Sequence, residues 1–195
     1  MRTLLALVAL ALAAGCTTPA YVSPVEVTRF TASAPGQLGR GDIAVRAAPG
    51  QVPNAWDFAA FRQAVAGELQ ELGYTVSDSA RQVAEIRVDR SAVRSERRRS
   101  PVNVGVGGST GSYGSGVGMG VGINLGGNRR AEQVDTQLHV MIRPEAGGDA
   151  LWEGRANFSA TANSQFADQR AAAGKLADAL FSGFPGRSGE TIEVR

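Results

Sequence analysis

Few side chains of this sequence could carry chemistry. Cys16 is the only cysteine and His139 the only histidine. A single thiol forbids any disulfide within the chain and leaves acylation, free thiol reactivity or pairing between chains. One histidine without a second cysteine excludes the usual zinc clusters. Members of a Ser/His/Asp set lie far apart in sequence, so spacing cannot exclude one, but Gly114-Ser115-Gly116 does not complete a nucleophile elbow. His139 reads as a surface residue, and Asp149 and Glu153, close to a turn, read as solvated carboxylates. The chain is therefore expected to be no enzyme and to hold neither a cofactor nor a metal. Its dense cationic run, Arg90, Arg94, Arg97, Arg98 and Arg99, offers guanidinium forks to anionic oxygens. Arg94, Arg97, Arg98 and Arg99 are the candidates for contact with lipid headgroups or lipopolysaccharide phosphates. The alternative is a solvated edge strand whose charges discourage aggregation. No aromatic residues interleave with these arginines, so no nucleic-acid partner is expected.

The setting of Cys16 is more informative. Arg2 gives a positive start, Leu4 to Ala14 an apolar core, and Ala13-Ala14-Gly15 small residues for cleavage, which together read as an export signal. The run is too short for the ~20 apolar residues that span a bilayer. Leu12-Ala13-Ala14-Gly15-Cys16 resembles the lipobox of bacterial lipoproteins. That resemblance implies cleavage before Cys16, a thioether to lipid and several acyl chains. Each buried methylene contributes about 0.8 kcal/mol, so such an anchor is effectively permanent. Thr17, rather than Asp, follows the cysteine, which in this class implies the outer membrane, periplasmic face.

These residues must be positioned by one domain, since 195 residues at 43% hydrophobic content suffice for a single core. The formal charge of +2 is too small to define a partner, and Lys175 is the only lysine. The organisation expected is a signal peptide at 1–15, a tether at 16–24, and one α+β domain at 25–195 with a glycine-rich insert at 102–127. Val25 to Phe30 and Ile43 to Ala47 alternate as strands and are read as a first hairpin across Pro35-Gly36. Phe58, Phe61, Val65, Leu69 and Leu72 recur at helical spacing, with Asn54 as N-cap and Gly73 as stop. Strands follow at Tyr74 to Val76 and Ala84 to Val88. A further hairpin pairs Val134 to Ile142 with Trp152 to Ala160 across "PEAGGDA". A second helix is expected from about Ala167 to Ser182, closed by Gly183 and Pro185, then an edge strand at Thr191 to Val194. Two amphipathic helices packed on one face of an antiparallel-rich sheet bury these stripes together.

Between Val102 and Gly127, glycine alternates with Val104 and Val106, then with Val117, Met119, Val121, Ile123 and Leu125. This is strand periodicity, open to a long hairpin in the domain's own sheet, a loop, or a hairpin meeting membrane or another copy. No lysine follows the glycines as a phosphate loop requires, and the insert has no aspartate for calcium.

"LQELGYTV" (69–76), "ALWEGRANF" (150–158) and "LADALFSGFPG" (176–186), in this order, resemble the bacterial lipoproteins of the domain of unknown function 4136 family. The resemblance implies the fold and carries no catalytic residues. The expected function is that of a lipid-anchored envelope lipoprotein presenting an interaction or scaffold domain, with the membrane, an envelope protein or anionic lipid as partners. The alternative is a small-molecule-binding protein or hydrolase with a cleft near Trp152.

Overall fold

The computed structural model describes residues 19–32, 38–51, 56–93 and 132–195. Residues 1–18, Asn54 and the glycine-rich stretch 102–127 lie outside them. Seven strands form one mixed sheet in the order β3-β2-β4-β5-β6-β1-β7. These are β1 (Val25–Thr31), β2 (Gly41–Ala47), β3 (Tyr74–Val76), β4 (Gln82–Val93), β5 (Gln133–Pro144), β6 (Trp152–Thr161) and β7 (Thr191–Val194). Two helices, α1 (Trp56–Glu71) and α2 (Gln169–Phe181), complete an α+β fold.

The hairpin expected between the first two strands does not form. β1 pairs antiparallel with β6 and β7, whereas β2 lies at the other side of the sheet, parallel to both β3 and β4. Alternation reports which residues face the core but not which strand lies alongside. Here β2, α1 and β3 make a crossover unit, because parallel neighbours need a long connection. The loop from β3 to β4 then crosses β2 on the face away from the helices. Arg46 on that face donates to the Asp78 carbonyl, and Ala44 beneath is buried.

The remaining pairings, β4–β5, β5–β6, β6–β1 and β1–β7, are antiparallel. The β5–β6 hairpin and the edge position of β7 agree with the sequence reading. Period-two alternation places Val25, Val27, Ile86, Leu138, Val140, Ile142, Trp152 and Ala156 on one face, all buried in a single core. α1 covers β2, β3 and β4 with Phe58, Phe61, Val65 and Leu69, and stops at Gly73, whose φ of +99° disfavours any residue with a Cβ. α2 lies beside it over β5, β6 and β1, burying Ala172, Ala173, Leu176, Ala177, Ala179, Leu180 and Phe181. Asp168 caps its N-terminus by accepting from the amides of Arg170 and Ala171. The helix thus begins later than Ala167, after a 3-10 turn over Gln165–Ala167.

Candidate functional site

Cys16, Arg94, Arg97, Arg98 and Arg99 lie outside the described residues, the nearest of which are Pro19 and Val93. Tyr21 and Thr161 exchange hydrogen bonds: the Tyr21 amide donates to Thr161 Oγ1 at 2.9 Å, and the Thr161 amide to the Tyr21 carbonyl at 2.9 Å. Val22 bridges Ala160, and the Ser23 amide donates to the Ser159 carbonyl. The chain is thus tied to β6 within the stretch read as tether. Val93, the last residue of β4, pairs with Gln133, the first of β5, and Gln133 pairs with Thr161. Tyr21, Val93 and Gln133 therefore lie at one end of the sheet.

The face of the sheet away from the helices carries polar side chains in transverse rows fixed by strand register. Asp89, Gln137, Asn157, Glu26 and Glu193 make one row, and Arg87, His139, Arg155, Thr28 and Thr191 the next. Beyond them lie Arg46, Glu85, Met141, Glu153 and Phe30. The acidic end of this face lies towards Val93 and Gln133. A hollow of about 800 Å³ is lined there by Glu26, Asp89, Asp135, Gln137, Asn157 and Ser159. Asp135 accepts from Ser159 Oγ at 2.6 Å. Carboxylates and amides in this arrangement can accept hydrogen bonds from solvent or from cationic groups. Among the described residues no cluster has the composition to hold a metal ion.

His139 lies on the open polar face, where alternation places it, and is partly buried there. Its Nε2 lies 2.9 Å from Glu153 Oε1, which also accepts from Arg155 Nη2 at 2.8 Å. Glu153 is accordingly not a free solvated carboxylate, unlike the exposed Asp149. Hydrogen bonding from His139, opposed by burial and aided by Arg155, pulls its pKa down to about 2. The folded state then binds this proton more weakly than the unfolded chain. The stabilisation is complete above the ordinary value of 4.5 and is lost as pH falls towards 2. Glu153→Gln should therefore cost about 1–2 kcal/mol at pH 6, allowing for solvent screening, and almost nothing at pH 2. Urea unfolding of both proteins across that range measures the convergence.

Among the described residues, Trp152 presents no surface to a ligand. Its side chain is fully buried, stacked on Phe181 with centroids 5.4 Å apart and tilted against Phe184 at 5.1 Å. Its indole N–H donates to the Pro185 carbonyl at 2.9 Å. Gly154 leaves the room the ring needs: a Cβ there would come within 2.3 Å of the indole and 2.8 Å of Leu180. The Trp-Glu-Gly and Phe-Ser-Gly-Phe-Pro segments are thus two halves of one packed knot. Space near an aromatic is not readable from sequence, because what fills it comes from a distant helix.

The sequence reading also passed over Arg29. It sits on the core face of β1 with 5% of its surface exposed. Its Nε donates to the Leu180 carbonyl, and its Nη2 to those of Ala179 and Ser182, at 2.7–3.0 Å. A cation here satisfies carbonyls left over at the C-terminus of α2 and complements the helix dipole. Burial lowers its pKa below that of a free guanidinium. The signal was present: Val25, Val27 and Arg29 alternate, which places the arginine on the apolar face.

No family model matches the chain. An uncharacterized protein of Zymomonas mobilis is 36% identical over 69 residues, 35% of this chain, and the match spans 26% of that relative. Among solved structures, a PelC dodecamer from Paraburkholderia phytofirmans aligns over 84% of this chain and 99% of its own, with 12% identity and a TM-score of 0.46. A PDZ domain protein from Parabacteroides distasonis aligns over 95% of this chain and 40% of its own, with 14% identity and a TM-score of 0.49.

Proposed function

We propose that the chain is a non-catalytic, lipid-anchored envelope lipoprotein, held by Cys16 at the periplasmic face of the outer membrane, whose α+β domain presents a surface for protein or lipid contact. The reading rests on one relation: an apolar leader ends in the lone cysteine, and the chain is already hydrogen-bonded to β6 at Tyr21. The likeness of three sequence stretches to the domain of unknown function 4136 lipoproteins belongs to the same proposal. Two of those stretches meet in the knot around Trp152, and the third ends α1 at Gly73 and buries Tyr74.

Intact mass of the protein isolated from membranes tests the anchor. The expected species begins at Cys16 and carries acyl chains, and Cys16→Ser should move most of the protein into the soluble envelope fraction. A full-length precursor with a free thiol, soluble inside the cell, would overturn the proposal. In-cell crosslinking to a defined envelope neighbour would support the interaction role.

A further inference from the structure

We infer that the open face of the sheet is where a second copy of this chain docks, the two copies related by a two-fold axis that runs across the strands. The inference gives the contact surface proposed above a specific partner; it rests on that reading and not on the anchor at Cys16. Both helices pack on the opposite face, against the core. Strand register sets the charges of the open face in order. Asp89, Glu26 and Glu193 share one row with Gln137 and Asn157, all exposed, and Arg87 and Arg155 flank His139 in the next. A row of acceptors thus lies two residues, about 7 Å, from a row of donors.

An axis across the strands, placed between these two rows, turns each row onto the other. Asp89 then faces the second copy's Arg87, Asn157 its Arg155 and Gln137 its His139, and each contact is made twice. Glu26, on the strand beside Asn157, comes within reach of the same Arg155. An axis along the strands would instead lay the acidic row on its own copy, which like charge opposes. A guanidinium carries five N–H donors, so the bonds from Arg87 Nη2 to the Pro49 carbonyl and from Arg155 Nη2 to Glu153 leave each fork with donors to present. Farther from the axis, Glu85 and Glu153 are paired within their own copy, the first with Arg143 and the second with His139 and Arg155, so they add little repulsion. Phe30, 46% exposed on this face, loses that exposure in the pair. From Gln133 to Arg143 the face runs about 33 Å along β5, less along β1 and β7, and it is about 24 Å wide from β4 to β7. That is roughly 600 Å² per copy and about 1,200 Å² for the pair, the area at which specific interfaces begin.

Charge reversal on the Cys16→Ser protein, purified without detergent, tests the docking whatever the fate of the anchor. Asp89 and Arg87 are both exposed on one face of β4, so reversing either leaves the core untouched, and thermal unfolding checks that each variant folds. In sedimentation equilibrium at low salt, the parent should be a dimer at about 10 μM protein and above. Asp89→Arg and Arg87→Asp should each raise the dimer dissociation constant at least about thirtyfold, because like charges then face each other on both sides of the axis. Mixed in equal amounts, the two variants should associate with each other to within about fivefold of the parent, since each supplies the charge that the other lacks. A parent still monomeric at about 100 μM, reversals that stay dimeric, or a mixture that fails to associate overturns the inference. In-cell crosslinking separates the premises: a monomeric parent captured on an envelope neighbour overturns the dimer alone, and a monomer with no neighbour refutes the contact surface with it.

Discussion

Gly154→Ala should destabilise the protein by about 3 kcal/mol or more, the upper range for overpacking a core. The added methyl would stand 2.3 Å from the Trp152 indole and 2.8 Å from Leu180. Neither neighbour has an easy retreat. Trp152 is wedged between Phe181 and Phe184 with its N–H bonded to Pro185, and Leu180 is fully buried in α2. A loss of this size corresponds to a melting temperature lower by roughly 6–12 °C for a domain of this length. Gly174→Ala supplies the contrast. That position lies on α2, is exposed, and has nothing within 4 Å of the point where a methyl would stand. It should gain about 0.5–1 kcal/mol from helix propensity alone. Thermal unfolding of the two variants beside the parent should therefore move in opposite directions, and a shift of the same sign in both would refute the packing account.

Arg29→Met should cost about 2–4 kcal/mol, because it keeps the aliphatic stem but strips the carbonyls of Ala179, Leu180 and Ser182 of their donor in a buried setting. Arg29→Lys should recover little of the loss. An ammonium is a compact point charge, and the Nε and Nη2 donors of a planar fork reach three carbonyls at once. The same guanidinium packs close to Gly186, where a Cβ would approach within 2.8 Å of its Cδ, so the segment after α2 is shaped around it. Urea unfolding of the three proteins decides the matter, and a lysine variant as stable as the parent would show that charge rather than geometry is what α2 requires.

These two effects fall at residues that the sequence makes visible to different degrees. Arg29 shares a face with Val25 and Val27 by simple alternation, and a cation on an apolar face demands acceptors. Its acceptors, however, lie about 150 positions away at the end of α2. Gly154 carries no such signal. In "ALWEGRANF" it is one alternating position among others, and only the fold of the Trp152 ring back over it removes the space for a methyl. Glu153 and His139 face the same side of their strands by parity, but only the β5–β6 register brings them together.

What the sequence determined by itself is therefore the set of local features: the apolar run before the lone Cys16, the two apolar helix stripes, the stop at Gly73, the β5–β6 hairpin and the alternation that separates a core face from a polar one. Each depends on periodicity or on the chemistry of adjacent residues. Tertiary structure decided the partners. It placed β2 away from β1 and in a parallel crossover with β3, packed Trp152 against Phe181 and Phe184, and drew His139 onto Glu153. The physical reason is common to all three: a face or a donor can be read from one segment, but what it packs against is fixed by the competition of every other segment for the same core.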